Sequence, residues 1–243
     1  PRGLPVFTEK PPGISIAQAQ RLAELAQQHG IISYVAFNRR RAPGLMRLAE
    51  WCHEHAPVRH IRAEMLRNRR LEPEFGIGTA IHPLDCLRFL AGRVDSIETT
   101  VLPYPGSAAR DFLVRLHYAG GTIADLAVLV DCGLLRERYL ASAEHSAMEA
   151  TLGAGYSSDF VRKGETLYSD NAMLFDDPAA EDRLVAGGFL GEHEAFIAAV
   201  RSGQQPDCNL QDAQHSVRLT VAVHEGYTGP LADFEPNAGN PYR

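Results

Sequence analysis

Of the 24 lysines and arginines in the chain, only two are lysines, Lys10 and Lys163. Arginine stays protonated in a protein, whereas a lysine whose pKa is lowered by burial or by a neighbouring cation can give and take a proton. In a chain that fills its basic positions with arginine, a lysine in Thr8-Glu9-Lys10-Pro11-Pro12 has the chemistry of an acid or base, although a surface lysine closing a strand end fits equally well. A second candidate is Gly78-Thr79-Ala80-Ile81-His82-Pro83-Leu84-Asp85. On one helix His82 and Asp85 stand at i and i+3, so the carboxylate could orient or charge the imidazole. A lone histidine on an apolar face is more often structural.

Other clusters are weaker. Cys52-His53-Glu54-His55, with His60 nearby, invites a metal. In a helix, however, His53 and His55 point roughly 200° apart, and three convergent ligands are not apparent; no metal is expected. Gly76-Ile77-Gly78 is not a dinucleotide fingerprint, since it lacks the third glycine and does not follow a strand in a β-α-β unit.

These groups need elements to position them. Leu4 to Phe7 reads as a strand, Ser15 offers an N-cap to a helix from Ile16 to Ala26, Gly30 ends that helix, and Ile31 to Phe37 is a second strand. The unit is β-α-β with a parallel pair, and Lys10 stands at a carboxyl strand end, the edge at which open α/β sheets bind ligands. Parallel sheets are covered on both faces, so a two-strand pair reads as part of something larger. Helices are expected from about Pro43 to His55 and Ile77 to Leu90, with a strand from Val58 to Leu66 between them. From Val94 the pattern alternates. Phe112, Val114, Leu116 and Tyr118 share a face, Ala119 to Thr122 turns the chain, and Ile123 to Val130 returns. Arg136–Glu144, Met148–Leu152, Asp159–Arg162 and Thr166–Tyr168 continue as strands of one large, mainly antiparallel sheet. Helices from Phe189 to Arg201 and Leu210 to Tyr227 close the chain on one face of that sheet.

Composition narrows the class. The chain has 243 residues, 45% hydrophobic, with no apolar run of the roughly 18–20 residues a membrane span needs. The four cysteines are scattered without a C-x-x-C pair, which suits a reducing, cytoplasmic setting. Net charge is −6, yet residues 1–70 are basic and the remainder acidic. The densest basic runs, Arg39-Arg40-Arg41 and Arg67-Asn68-Arg69-Arg70, could mark an anion site, although solvated faces and subunit contacts are the commoner meaning of such runs. An acidic chain with no aromatic-interleaved basic stripe argues against nucleic acid.

Taken in order, Thr8-Glu9-Lys10-Pro11, Ala36-Phe37-Asn38-Arg39-Arg40-Arg41-Ala42-Pro43, Ile81-His82-Pro83-Leu84-Asp85 and Glu192-His193-Glu194-Ala195-Phe196 through Gly203 resemble the glucose-fructose oxidoreductase, inositol dehydrogenase and MocA family over nearly the whole chain. The resemblance implies that residues 1–40 are the C-terminal remnant of an NAD(P)-binding Rossmann domain. Residues 41–243 would be an α+β domain for substrate binding and oligomerisation, assembling as a homodimer or homotetramer through its open sheet face. It implies Lys10 and His82 as the catalytic pair, with Glu9, Pro11, Asn38 and Arg40 beside the cofactor. The reaction would be hydride transfer between NAD or NADP and a secondary alcohol of a sugar or polyol. Two departures stand out: no G-x-G-x-x-G loop is present, and Gly78 occupies the position where the family usually places an aspartate, four residues before the histidine. The missing loop leads us to expect a native polypeptide about a hundred residues longer at its front. A cofactor-free sugar-binding or scaffold protein is the rival reading; a transcriptional sugar sensor finds no helix-turn-helix in this sequence.

Overall fold

A computed structural model describes residues 3–152, 159–165, 172–173 and 183–237. Strand β1 (Val6–Thr8), helix α1 (Ile16–Gln28) and strand β2 (Ser33–Val35) form the expected unit, with β1 and β2 parallel in the register Val6 to Ser33. The Ser15 hydroxyl caps α1 by accepting from the Gln18 amide, and Gly30 follows the helix with a positive φ of 58°. A 3-10 turn, Asn38–Arg41, leads into α2 (Pro43–Glu54), where proline at the first helical position costs no hydrogen bond.

The main sheet contains β3 (His60–Leu66), β4 (Val94–Pro103), β5 (Arg110–Tyr118), β6 (Ile123–Leu129), β7 (Arg136–Ala143), β8 (Ser146–Leu152), β9 (Asp159–Glu165), β10 (Ala172–Met173) and β11 (Gly229–Pro230). Its order is β10-β9-β8-β7-β3-β6-β5-β4-β11. Every pairing is antiparallel except β3 with β6 at the centre, which is parallel. Thr166–Tyr168, expected as a strand, lies outside the described residues.

Alternation gives the sheet two different faces. Phe112 pairs with Val128, Val114 with Leu126 and Leu116 with Ala124, all buried beneath helices. The residues between them face away, where Arg115 Nε donates to Asp125 at 2.8 Å and Asp125 also holds His60 at 2.9 Å. The covering layer is α2, α4 (Ile81–Ala91) and α7 (Leu210–His224), and α1 packs against α7. One continuous apolar core runs from Ile16 to Phe234. Helix α6 (Phe189–Ser202) meets the β1–β2 pair through rings: Phe7 stacks on Tyr34 at 5.4 Å and on His193 at 4.8 Å, with Phe196 edge-on at 5.5 Å.

One expected helix is broken. In place of a single Ile77–Leu90 helix there is a short α3 (Phe75–Gly78) and then α4. Pro83 is the cause: its ring would collide with the carbonyl of residue 79 in a continuous helix, and it tolerates only a first-turn position. The helix therefore restarts at Ile81. Gly78 and His82 consequently do not share the face of one helix, although they stand four residues apart.

Among the described residues no helix is long and apolar enough to cross a membrane, and Cys52, Cys86, Cys132 and Cys208 are all free thiols.

Candidate active site

Several separate segments enclose a cavity of about 320 Å³. Lys10 comes from just beyond the carboxyl end of β1 and Arg39 from the 3-10 turn after β2. Arg67 and Arg70 follow β3, Thr79 and His82 flank the break between α3 and α4, and Arg136 and Glu137 open β7. Lys10 and His82, far apart in sequence, thus meet in one chamber.

Lys10 Nζ donates to the Gly78 carbonyl at 2.7 Å. That bond gives Gly78 a role its missing side chain does not: its backbone aims the amine. Burial lowers the Lys10 pKa, the Arg39 guanidinium and, more weakly, Arg70 add to the fall, and Glu9 opposes it. A lysine so placed releases its proton more readily than one in water.

His82 is 5% exposed. Its Nδ1 is buried with no hydrogen-bond partner among the described residues. Burial, then Arg39, Lys10 and Arg67, hold its pKa well below the ordinary imidazole value. The ring is therefore neutral at physiological pH. Asp85 does not charge it, contrary to the i, i+3 expectation. That carboxylate is committed elsewhere, accepting from Arg40 Nε at 2.8 Å and Nη2 at 2.5 Å and from the Ser216 hydroxyl at 2.6 Å.

Beneath these groups Glu137, 2% exposed, accepts from Arg39 Nε at 2.8 Å, Arg67 Nη2 at 2.7 Å and the Tyr139 hydroxyl at 2.6 Å. Burial alone would raise its pKa, but the two guanidiniums and the tyrosine hold it below the usual carboxylate value.

The 3-10 turn sends its residues in different directions. Arg39 enters the cavity. Asn38 Nδ2 donates to the Gly187 carbonyl at 2.7 Å, beside Gly188, whose φ is 76° and where a Cβ would stand 2.0 Å from the Asn38 carbonyl oxygen. Arg40 is 3% exposed and bound to Asp85 and Asp212. Asn38 and Arg40, expected beside the cofactor, do not line the cavity: both clasp the scaffold, because buried polar groups of their size must be satisfied by protein partners. Glu9 is exposed and Pro11 half-buried, both next to Lys10 on the strand edge and outside the cavity wall.

Sequence reasoning missed Arg136, Glu137 and Thr79 as site residues. The basic runs at 39–41 and 67–70 were the available signal for Arg39, Arg67 and Arg70. His53 and His55 do not converge on a metal: His55 stacks on Trp51 at 4.5 Å and donates from Nδ1 to the Trp51 carbonyl. Among the described residues no three histidine, cysteine or carboxylate side chains are grouped to hold a metal ion.

No family model matches the sequence, and neither does any curated protein. Solved structures do match. An oxidoreductase from Agrobacterium radiobacter, in complex with NAD+, L-tartaric acid and magnesium, superposes with a TM-score of 0.75 at 17% identity, over 94% of this chain and 73% of that one. The chain has the fold of these oxidoreductases. A dehydrogenase from Chromobacterium violaceum gives 0.75 at 16% identity over 91% of this chain and 68% of its own. An aldose-aldose oxidoreductase from Caulobacter crescentus, complexed with glycerol, gives 0.73 at 14% over 92% and 70%. At such identities the likeness is one of fold, and it agrees with the kind of protein that the motifs resemble.

Close to the same strand edge, Glu192 on α6 is 2% exposed, and its Oε2 has no partner among the described residues. Burial, with Glu9 adding, raises its pKa to about 7 against the pull of His193 and Arg41. A folded pKa above the unfolded one gives stability that is complete below about 4.5 and is lost as pH climbs through 7. Glu192→Gln is accordingly expected to raise thermal stability at pH 8, by on the order of 2 kcal/mol, and to change little at pH 4. Melting curves across that range check it; a difference independent of pH would refute the assignment.

Proposed function

We propose that the chain carries the substrate side of an oxidoreductase that moves hydride between NAD or NADP and a secondary alcohol of a sugar, polyol or related small molecule. The observation behind this reading is the meeting of Lys10, its pKa lowered, with neutral His82 in one cavity at the carboxyl edge of a parallel strand. The unprotonated amine accepts the proton of the substrate hydroxyl as the C–H bond is given up, and the imidazole, uncharged, hydrogen-bonds the same oxygen. The Gly78 carbonyl keeps the amine aimed. The residues present fit the reactive end of a dinucleotide, since Glu9 and Pro11 flank Lys10 on the strand edge. When bound, that cofactor supplies the hydride acceptor.

The test is turnover by the native polypeptide, followed by nicotinamide fluorescence with NAD or NADP across a panel of polyols and sugars. Reduction of either cofactor with at least one of them is expected. Binding of polyols without turnover on any would favour the cofactor-free reading and refute this one.

We further propose that the open sheet face, with its ion pairs and the exposed Leu113, meets a second copy of the chain. Light scattering at micromolar concentration should give a dimeric or larger mass; a monomer would count against the assembly.

A further inference from the structure

The cavity is more cationic than a neutral sugar requires. Lys10, Arg39, Arg67, Arg70 and Arg136 line it, against Glu137 as the one carboxylate among the described lining residues. Glu137 has little left to offer the others, because its oxygens already accept from Arg39, Arg67 and Tyr139. Arg136 is the most open of the five. Its Nη2 is ion-paired to Glu64 Oε1 at 2.8 Å, and the rest of the guanidinium, on a side chain 43% exposed, stands at the cavity wall. Donors beyond that pair can take a ligand. Arg70, anchored by Glu72 at 2.5 Å and reaching Thr79 at 3.3 Å, stands beside it on the cavity wall. Both side chains are a little over 40% exposed, so they form the mouth, while Arg39, Arg67 and Glu137 form a buried floor. The buried, unpartnered Nδ1 of His82 is a second sign that the wall is built for a ligand.

Arginine forks with open donors recognise planar or tetrahedral oxyanions, and a concave site between low-dielectric walls concentrates anions from solution. A volume of about 320 Å³ admits a monosaccharide-sized molecule. We infer that the substrate is a polyol or sugar bearing an oxyanion, a carboxylate or a phosphate, which Arg136 and Arg70 hold at the mouth while a hydroxyl of the same molecule reaches Lys10. The inference rests on the oxidoreductase reading for the role of that hydroxyl, but the anion preference can be measured without turnover.

Calorimetry on the chain with D-gluconate, D-glucose 6-phosphate and neutral D-glucose separates the possibilities. At least one anion is expected to bind about tenfold or more tightly than glucose, with an affinity that falls as salt is raised. The carboxylate and phosphate arms identify which oxyanion is read. Arg136→Gln is expected to remove most of that preference, while Arg136→Lys restores part of it. Both variants alter a partly exposed side chain, and unchanged melting temperatures confirm that they fold. Equal binding of all three compounds, no binding of either anion at millimolar concentration, or an anion preference that survives Arg136→Gln would each overturn the inference. The two readings fail separately. If the native polypeptide oxidises neutral polyols as well as anionic ones, the anion inference falls and the oxidoreductase stands; if anions bind selectively and nothing is turned over, the reverse holds.

Discussion

Lys10→Arg in the native polypeptide is expected to lower kcat/KM by about 10²- to 10⁴-fold, the usual contribution of a positioned acid or base. The substitution keeps the positive charge, and a guanidinium can still reach the Gly78 carbonyl that now accepts from Nζ at 2.7 Å. It does not keep the chemistry, because arginine cannot take up the hydroxyl proton. Lys10→Met should lose a comparable amount for the same reason, and would also lift one of the cations that hold the His82 pKa down. In the parent protein kcat/KM should rise with pH through a lysine titration below the ordinary value of 10.5, since only the unprotonated amine accepts. That rise should vanish in both variants. Lys163→Arg serves as the control and leaves the rate unchanged. If Lys10→Arg retains the parental rate and pH profile on a true substrate, the amine is structural and proton transfer belongs to another group.

That Lys10 could be picked out at all follows from composition: one lysine at a strand end in an arginine-rich chain is an exception with a chemical meaning. The strand, helix and hairpin pattern was legible for a similar reason, since Phe112, Val114, Leu116 and Tyr118 alternate and bury together as the pleat requires. What could not be read is anything settled by long-range contact. A 3-10 turn advances about 120° per residue, so Arg39, Arg40 and Arg41 face three ways. Nothing local says that Arg39 faces the cavity while Arg40 faces Asp85. The parallel pairing of β3 with β6 joins residues some sixty positions apart, beyond the reach of any periodicity. Glu137 looks like an ordinary strand carboxylate until Arg39 and Arg67 arrive from other segments to bury it. The break before α4 was written in the sequence, at Pro83, but the apolar spacing through Ile77, Ile81 and Leu84 hid it.

Asp85→Asn is expected to destabilise the fold by about 3–5 kcal/mol, although its side chain hardly changes shape. Asp85 is 1% exposed and closes a network in which Arg40 also binds Asp212 at 2.6 Å, Arg88 binds Asp212 at 2.9 Å, and Ser216 bridges Arg88 and Asp85. The carboxylate at 85 and that at 212 together keep the Arg40 pKa well above its ordinary value despite burial. An amide at 85 removes one negative charge and places an NH₂ where the fork expects an acceptor, so a buried guanidinium is left with the Asp212 carboxylate and the Asp207 backbone carbonyl. Desolvation of that charge, already met in the folded state, is then no longer offset. For a chain of this length such a loss corresponds to a fall in Tm of about 10 °C. Arg40→Met combined with Asp85→Leu should recover most of it, since an apolar pair of similar volume removes both desolvation costs. The pair also links the turn bearing Arg39 to α4 bearing His82, so Asp85→Asn should weaken ligand binding in the cavity without touching any cavity wall. Denaturant melts of Arg40→Met, of Asp85→Leu and of the double variant measure the coupling. A loss under about 1 kcal/mol for Asp85→Asn would mean that water or Asp212 satisfies Arg40 unaided, and that the network is not what holds the two halves of the site in register.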